Sequence, residues 1–311
     1  MSLSPASLLR FLAVLLLAPL LPALVNRTKA LMAGRRGAPL LQGYYELFKL
    51  LGKSAVYSRT TGWVFRAGPL LGLAAALVAL AVLPWGAGGG LLSFEGDLFL
   101  FVYLFALMRF LTILAALDTG ASFEGMGASR EAWFSALAEP ALLLALAALA
   151  RSAGSLRLAV LLGGPRLADP AVPLAAAALF IVFLAENSRI PVDDPNTHLE
   201  LTMIHEVMVL DHGGPDLAFV QYGAALKLWM FGTLVAGLFV PRLSAFAPRA
   251  AGPLAGPLLA ALAGLAGLAV LGVLTGLLES LMARLRLTRV PQLLVSASAI
   301  SALAMVLELV R

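Results

Sequence analysis

A chain of 311 residues in which 61% are apolar and only 13% are charged lacks the polar coat that a water-soluble core needs, where about 25% charged residues is usual. Its formal charge of +5 sits in segments between apolar runs, which is a positive-inside pattern and not a nucleic-acid footprint. No cysteine occurs, which excludes disulfides, thiolate metal sites and cysteine-held iron–sulfur clusters within the chain.

An apolar helix needs roughly 20 residues to cross about 30 Å of hydrocarbon. Eight stretches approach or exceed that length: 6–25, 67–85, 98–117, 132–150, 170–187, 217–240, 254–278 and 290–310. The sequence therefore predicts an all-α integral membrane protein, a single polytopic domain over residues 1–311. The first stretch, Ala6–Val25, is long enough to cross and reads as a retained helix rather than a cleaved signal.

The loop 26–66 carries Arg27, Lys29, Arg35, Arg36, Lys49, Lys53, Arg59 and Arg66 against one acid, Glu46. The loop 280–289 adds Arg284, Arg286 and Arg289. Together with 118–131 and 188–216, these loops are expected to face the cytoplasm, with both termini outside, in a multi-pass protein of the inner (plasma) membrane. Within the first loop, Pro39–Lys53 reads as an amphipathic interfacial helix. Gln42, Glu46, Lys49 and Lys53 form its polar stripe, opposite Leu40, Leu41, Tyr44, Leu47, Phe48 and Leu51.

Charges inside spans need a reason, because an Arg or Asp at mid-helix costs about 2.5–3.5 kcal/mol on insertion scales. Arg109 falls in the third span, Glu139 in the fourth and Lys227 in the sixth, while Glu279 lies at the inner end of the seventh. An ion pair or snorkelling is the ordinary alternative, although Lys227 would lie ~15 Å deep if its span begins near Leu217. For Glu139 the alternative is a capping role at a helix that starts at Pro140. Such a helix would reach only ~17 Å, whereas a start near Ala132 gives ~28 Å and carries Glu139 inside.

The loop after the fifth span concentrates acids: Glu186, Asp193, Asp194, Glu200, Glu206, Asp211 and Asp216, with Arg189 as the only strong base. It is a solvated loop, a carboxylate-lined funnel or a docking face. His198, His205 and His212 recur here every seven residues, which would place them on one face of a helix. Their spacing matches no zinc signature, and no metal is expected. No Walker loop, dinucleotide fingerprint or nucleophile elbow occurs, so no catalytic residue is assigned.

Several segments together resemble one family. RRGAPLLQGYYELFKLLGKSAVY (Arg35–Tyr57), RFLTILAALDTGASFEGMGASREAWFSALAEP (Arg109–Pro140), ENSRIPVDD (Glu186–Asp194) and ESLMARLRL (Glu279–Leu287) occur in order along the chain. They are similar to the complex I subunit 1 superfamily, and most to its hydrogenase branch, the membrane subunits of formate hydrogenlyase and energy-converting hydrogenases. Pro191 is followed here by Val192, Asp193 and Asp194, and the family's glutamate-rich run is replaced by PNTHLELTMIHEVMVLD (Pro195–Asp211).

The resemblance implies an eight-helix fold with a half-channel reaching the cytoplasm, while the lack of cysteine and of a nucleotide loop leads us to expect no iron, nickel or flavin bound by this chain, quinone being a doubtful possibility. It implies partners that carry a nickel–iron centre and iron–sulfur clusters: hydrogenase large and small subunits, a ferredoxin-like subunit and antiporter-like membrane subunits. Glu139, Asp193, Glu200 and Lys227 match ionisable positions of the family's proton path, while Arg109, Asp118, Arg130 and Glu279 match charged positions of the hydrogenase branch. Docking is expected at Asp194 and Glu206 of the acidic loop and at Arg35 and Arg36 of the first loop. The function so implied is to couple redox chemistry in a cytoplasmic arm to proton or sodium movement. A quinone-site subunit of a complex I type NADH or ferredoxin dehydrogenase, an autonomous ion antiporter and a passive anchor stay open as alternatives.

Overall fold

The computed structural model describes residues 5–85, 89–163, 169–193, 203–239 and 255–310. Among these residues every regular element is a helix. In chain order they are α1 (Pro5–Leu17), α2 (Leu20–Met32), α3 (Gln42–Leu51), α4 (Trp63–Val82), α5 (Asp97–Asp118), α6 (Ser122–Ala153), the single turn α7 (Leu158–Leu161), α8 (Ala171–Glu186), α9 (Gly214–Gly237), α10 (Ala255–Leu281) and α11 (Val290–Val310). Short 3₁₀ turns cover Glu206–Val209 and Leu287–Arg289.

Seven helical stretches are long and apolar enough to cross a bilayer, α1 and α2 counting together as Pro5–Met32, and the 16-residue α8 is a shorter apolar helix. At 1.5 Å per residue α8 reaches only ~24 Å. Its core position explains its length, since a helix lined by protein need not match the hydrocarbon. Ala175, Ala178, Leu179 and Val182 are all buried, against α6, α9 and α11. The outer helices instead turn Leu16, Tyr103, Phe110, Leu262, Val270 and Val306 outward. Water would penalise such a surface and lipid accepts it.

Contacts between helix ends fix the up-down order. At one face of the bundle Arg10 donates to the Trp85 carbonyl, Asp97 accepts from the Leu158 amide at 2.7 Å, and Arg151 donates to the Glu308 carbonyl. This joins the start of α1, the end of α4, the start of α5 and the ends of α6 and α11. At the opposite face Asp118 accepts from the amides of Gly62 at 2.7 Å and Phe65 at 3.1 Å. The last residue of α5 thereby satisfies orphan donors at the start of α4.

Small residues let neighbouring helices approach. Ala138, Ala141 and Ala145 of α6 and Ala297, Ser301 and Ala304 of α11 are all buried in the contact between those two helices. Pro140 lies inside α6 and cannot donate to a helical carbonyl. Two serines of α11 bond carbonyls on either side of it, Ser298 to Leu137 and Ser301 to Ala141, as expected where a membrane helix carries proline. Along α2, Gly276 of α10 is so close that an added Cβ would lie 2.7 Å from Thr28 and 2.9 Å from the Val25 carbonyl.

Two predicted loops are largely helical. The first helical stretch runs on to Met32, past the predicted end at Val25, and α6 begins at Ser122, ten residues before the predicted start. Both extensions are polar, and they are held by tertiary packing that hydropathy does not report. Gly127 of α6 lies directly beneath Val207, the Ile204 carbonyl and Met208. The amphipathic segment forms a helix over Gln42–Leu51 and packs on α9, with Tyr45 and Phe48 exposed.

Candidate functional site

Four helices converge on a buried set of charges. Arg109 of α5 donates to Glu186 at 2.6 Å and also to Glu139 of α6. Glu186, the last residue of α8, pairs through its second oxygen with Lys227 of α9 at 2.7 Å. Arg109, Glu186 and Lys227 are buried, while the Glu139 side chain is 41% exposed. Two cations therefore face two carboxylates, and the set is formally neutral. Neutrality decides whether it is tolerated. An isolated charge at mid-span costs about 2.5–3.5 kcal/mol, and pairing in low dielectric offsets most of that.

A second set lies beside it. Glu131 of α6 approaches His205 Nε2 at 3.3 Å, and Asp193 lies 3.9 Å from His205 Nδ1. Asp193 also accepts from the amides of Ile204 and His205, both at 3.2 Å, and pairs with Arg284 at 3.1 Å. Arg130 donates to the Met203 carbonyl at 2.8 Å. Burial alone would lower the imidazole pKa, but Glu131 and Asp193 outweigh it and push His205 up to about 9. Burial would raise the Asp193 carboxyl, and His205 and Arg284 instead hold it below the usual carboxylate range. A cavity of about 10 Å³, room for one water, lies between the sets and is lined by Glu131, Ser135, Glu186 and His205 among apolar side chains.

A third group is separate in its contacts. Glu279 at the end of α10, with a fully buried side chain, pairs with Lys29 of α2 at 2.7 Å and Arg189 at 3.5 Å. It ties three helix ends together.

The chain matches the family model described as NADH dehydrogenase over residues 6–310. It is 33% identical to formate hydrogenlyase subunit 4 of Escherichia coli (strain K12) over 292 residues, covering 92% of each chain. Hydrogenase-4 component C of the same organism is 32% identical over 231 residues, covering 73% of this chain and 72% of that one. The chain belongs to the complex I subunit 1 family, in its hydrogenase branch. The fold matches a chain in the solved structure of the membrane-bound sulfane sulfur reductase, an archaeal respiratory membrane complex. That match has a TM-score of 0.78 and 20% identity, covering 97% of this chain and 98% of that one. This is thus a multi-pass, complex-I-related membrane subunit.

Of the residues singled out in this family member's sequence, Arg109, Glu139 and Lys227 meet through Glu186. Asp193 belongs to the adjoining set and Glu279 to the separate one. Asp194, Glu200 and His198 lie outside the described residues. Glu206, Arg35 and Arg36 are exposed. Glu139 does not cap a helix starting at Pro140, since α6 begins at Ser122. Nor do His205 and His212 share a helical face. Residues 203–213 form an irregular loop with one 3₁₀ turn, which sends His205 to Glu131 and stacks His212 on Phe65 at 4.0 Å.

Sequence reasoning counted Glu186 only among the acids of the loop that follows, and it missed Glu131 and the place of His205. Glu186 could have been found from its position, an acid closing an apolar run with no polar spacer. Glu131 was hidden by the misplaced start of α6.

Proposed function

We propose that this chain is the membrane subunit of an energy-converting hydrogenase of the formate hydrogenlyase type, anchoring a cytoplasmic redox arm and carrying part of a proton or sodium path. The supporting observation is the neutral Glu139–Arg109–Glu186–Lys227 array, which runs from a part-exposed carboxylate into the helix bundle. Each carboxylate in it can exchange partners or accept a proton, and a local change of charge shifts the balance of its neighbours. The redox centres belong to partners in this reading: hydrogenase large and small subunits, a ferredoxin-like subunit and antiporter-like membrane subunits. The chain sits in the inner membrane with its termini outside, and Arg35, Arg36, Asp194 and Glu206 face the arm.

Glu139→Gln tests the path. In vesicles carrying the intact complex, the variant is expected to keep dye-linked redox turnover and lose ion movement. Normal ion movement in the variant refutes the path. Quinone without nickel in the purified complex would favour a quinone-reducing dehydrogenase instead.

A further inference from the structure

One imidazole lies on the loop side of the array just described. His205 stands between Asp193, which is held by loop amides and Arg284, and Glu131, which lies beside the buried pairs. Among the described residues, neither imidazole nitrogen finds a hydrogen-bond partner at proper geometry. At 3.3 and 3.9 Å each faces a carboxylate just beyond ideal reach. The ring is therefore flanked by an acceptor on both sides. The water-sized cavity opens at the same ring and is shared with Glu186.

We propose that His205 is a proton relay between the loop side of the protein and the buried Glu186 pairs, resting on the reading of those pairs as an ion path. In one cycle the imidazolium gives its Nε2 proton to Glu131, or through a water in the cavity to Glu186. The neutral ring keeps its Nδ1 proton until it turns or exchanges tautomer, which presents the bare nitrogen to the Asp193 side. A proton taken up there restores the imidazolium, and one proton has moved inward with no net change at the histidine.

The surrounding charges support alternation. Glu131 and Arg130 face this region from α6, Glu186 from the end of α8, Asp193 from the loop after it, Lys227 from α9 and Arg284 from the loop after α10. With Glu131 ionised, the carboxylates hold the proton on the ring against the cost of burial. A proton arriving on Glu131 removes its share of that attraction, leaving Asp193 alone against burial and Lys227, which both favour the neutral ring. Loading of Glu131 thus loosens the ring's hold on its own proton.

The test uses the intact complex in vesicles, with Glu139→Gln as the reference for the path itself. His205→Gln and His205→Ala are expected to keep dye-linked redox turnover and to lower ion movement at least tenfold, and added imidazole is expected to restore it in His205→Ala. Normal ion movement in the His205 variants, with Glu139→Gln inactive, overturns the relay and leaves the path standing. Normal movement in all variants removes the path and the relay together. Loss that imidazole cannot restore assigns His205 a structural role and overturns the relay.

A second measurement needs no His205 variant. With only three histidines in the chain, ¹⁵N-histidine labelling, assigned through His198 and His212 variants, is expected to show an imidazolium at pH 7.5. In Glu131→Gln the same ring should lose its proton at a lower pH than in the wild type. A ring whose charge ignores Glu131 overturns the proposal.

Discussion

Replacing Glu186 by Gln keeps the volume of the side chain and removes one charge from a neutral set. Arg109 would retain Glu139, but Lys227 would be left without a carboxylate, since among the described residues its ion pair runs to Glu186 alone, at 2.7 Å. Breaking a buried pair from one side costs about 3–5 kcal/mol. The amide oxygen of Gln can still accept from one cation, so the lower end, about 3 kcal/mol, is expected. Removing Lys227 as well, with Met as a shape mimic, takes away the stranded charge. The double variant Glu186→Gln with Lys227→Met should then be more stable than Glu186→Gln alone, with a coupling energy of about 2 kcal/mol. Unfolding of the purified chain by sodium dodecyl sulfate in mixed micelles, followed by tryptophan fluorescence, measures all four corners of this cycle. Trp229 lies two residues along α9 from Lys227 and gives a local signal. Interhelical polar contacts in membrane proteins average about 0.6 kcal/mol in such cycles. A coupling no larger than that would mean the pair is solvated or rearranged, and the reasoning about a dry, balanced cluster fails.

The pH dependence of stability offers a second check. Because the folded pKa of His205 is raised from 6.5 to about 9, its stabilisation is complete below about pH 6.5 and lost as pH rises through 9. The loss is on the order of 3 kcal/mol at most. Wild type should weaken across that window in detergent and His205→Gln should not; equal slopes contradict the assignment. Gly276→Val should force α10 from α2 at Thr28 and cost about 1–3 kcal/mol by overpacking, visible as a lowered unfolding midpoint. A single cysteine at Ser58 should react with impermeant maleimide from the cytoplasmic side, and labelling only from outside inverts the topology. Reversing the exposed acids Glu206 and Asp211 to Lys should release the redox arm on purification while the chain stays folded. Asp193 is unsuitable for that test, since it is buried against Arg284 and His205.

The spans were legible because hydrocarbon demands long apolar runs, and every predicted run contains part of a helix. The edges were not. Arg27 and Lys29 extend α2, and Glu124, Arg130 and Glu131 extend α6, through polar segments where tertiary contact supplies what hydropathy lacks. Arg109, Glu139 and Lys227 stood out because a charge inside a span is costly. Their pairing could not be read, since Arg109 and Glu186 are 77 residues apart and chain spacing says nothing of which helices touch. The seven-residue histidine repeat misled for a related reason. It assumes a helix, and the backbone between His205 and His212 is spent on capping Asp193 and covering Gly127 instead.

One long rod connects the loop to the array. With 32 residues, α6 is ~48 Å long, well beyond the ~30 Å of hydrocarbon, so one end must stand clear of it. Gly127 near that end carries the loop 203–208, and Glu139 lies ~18 Å further along the same axis. Pro140 leaves the Ala136 carbonyl without its usual helical donor, so the rod bends most easily beside Glu139. The loop and the carboxylate are thus mounted on one element, to which α11 is bonded on either side of the proline through Ser298 and Ser301.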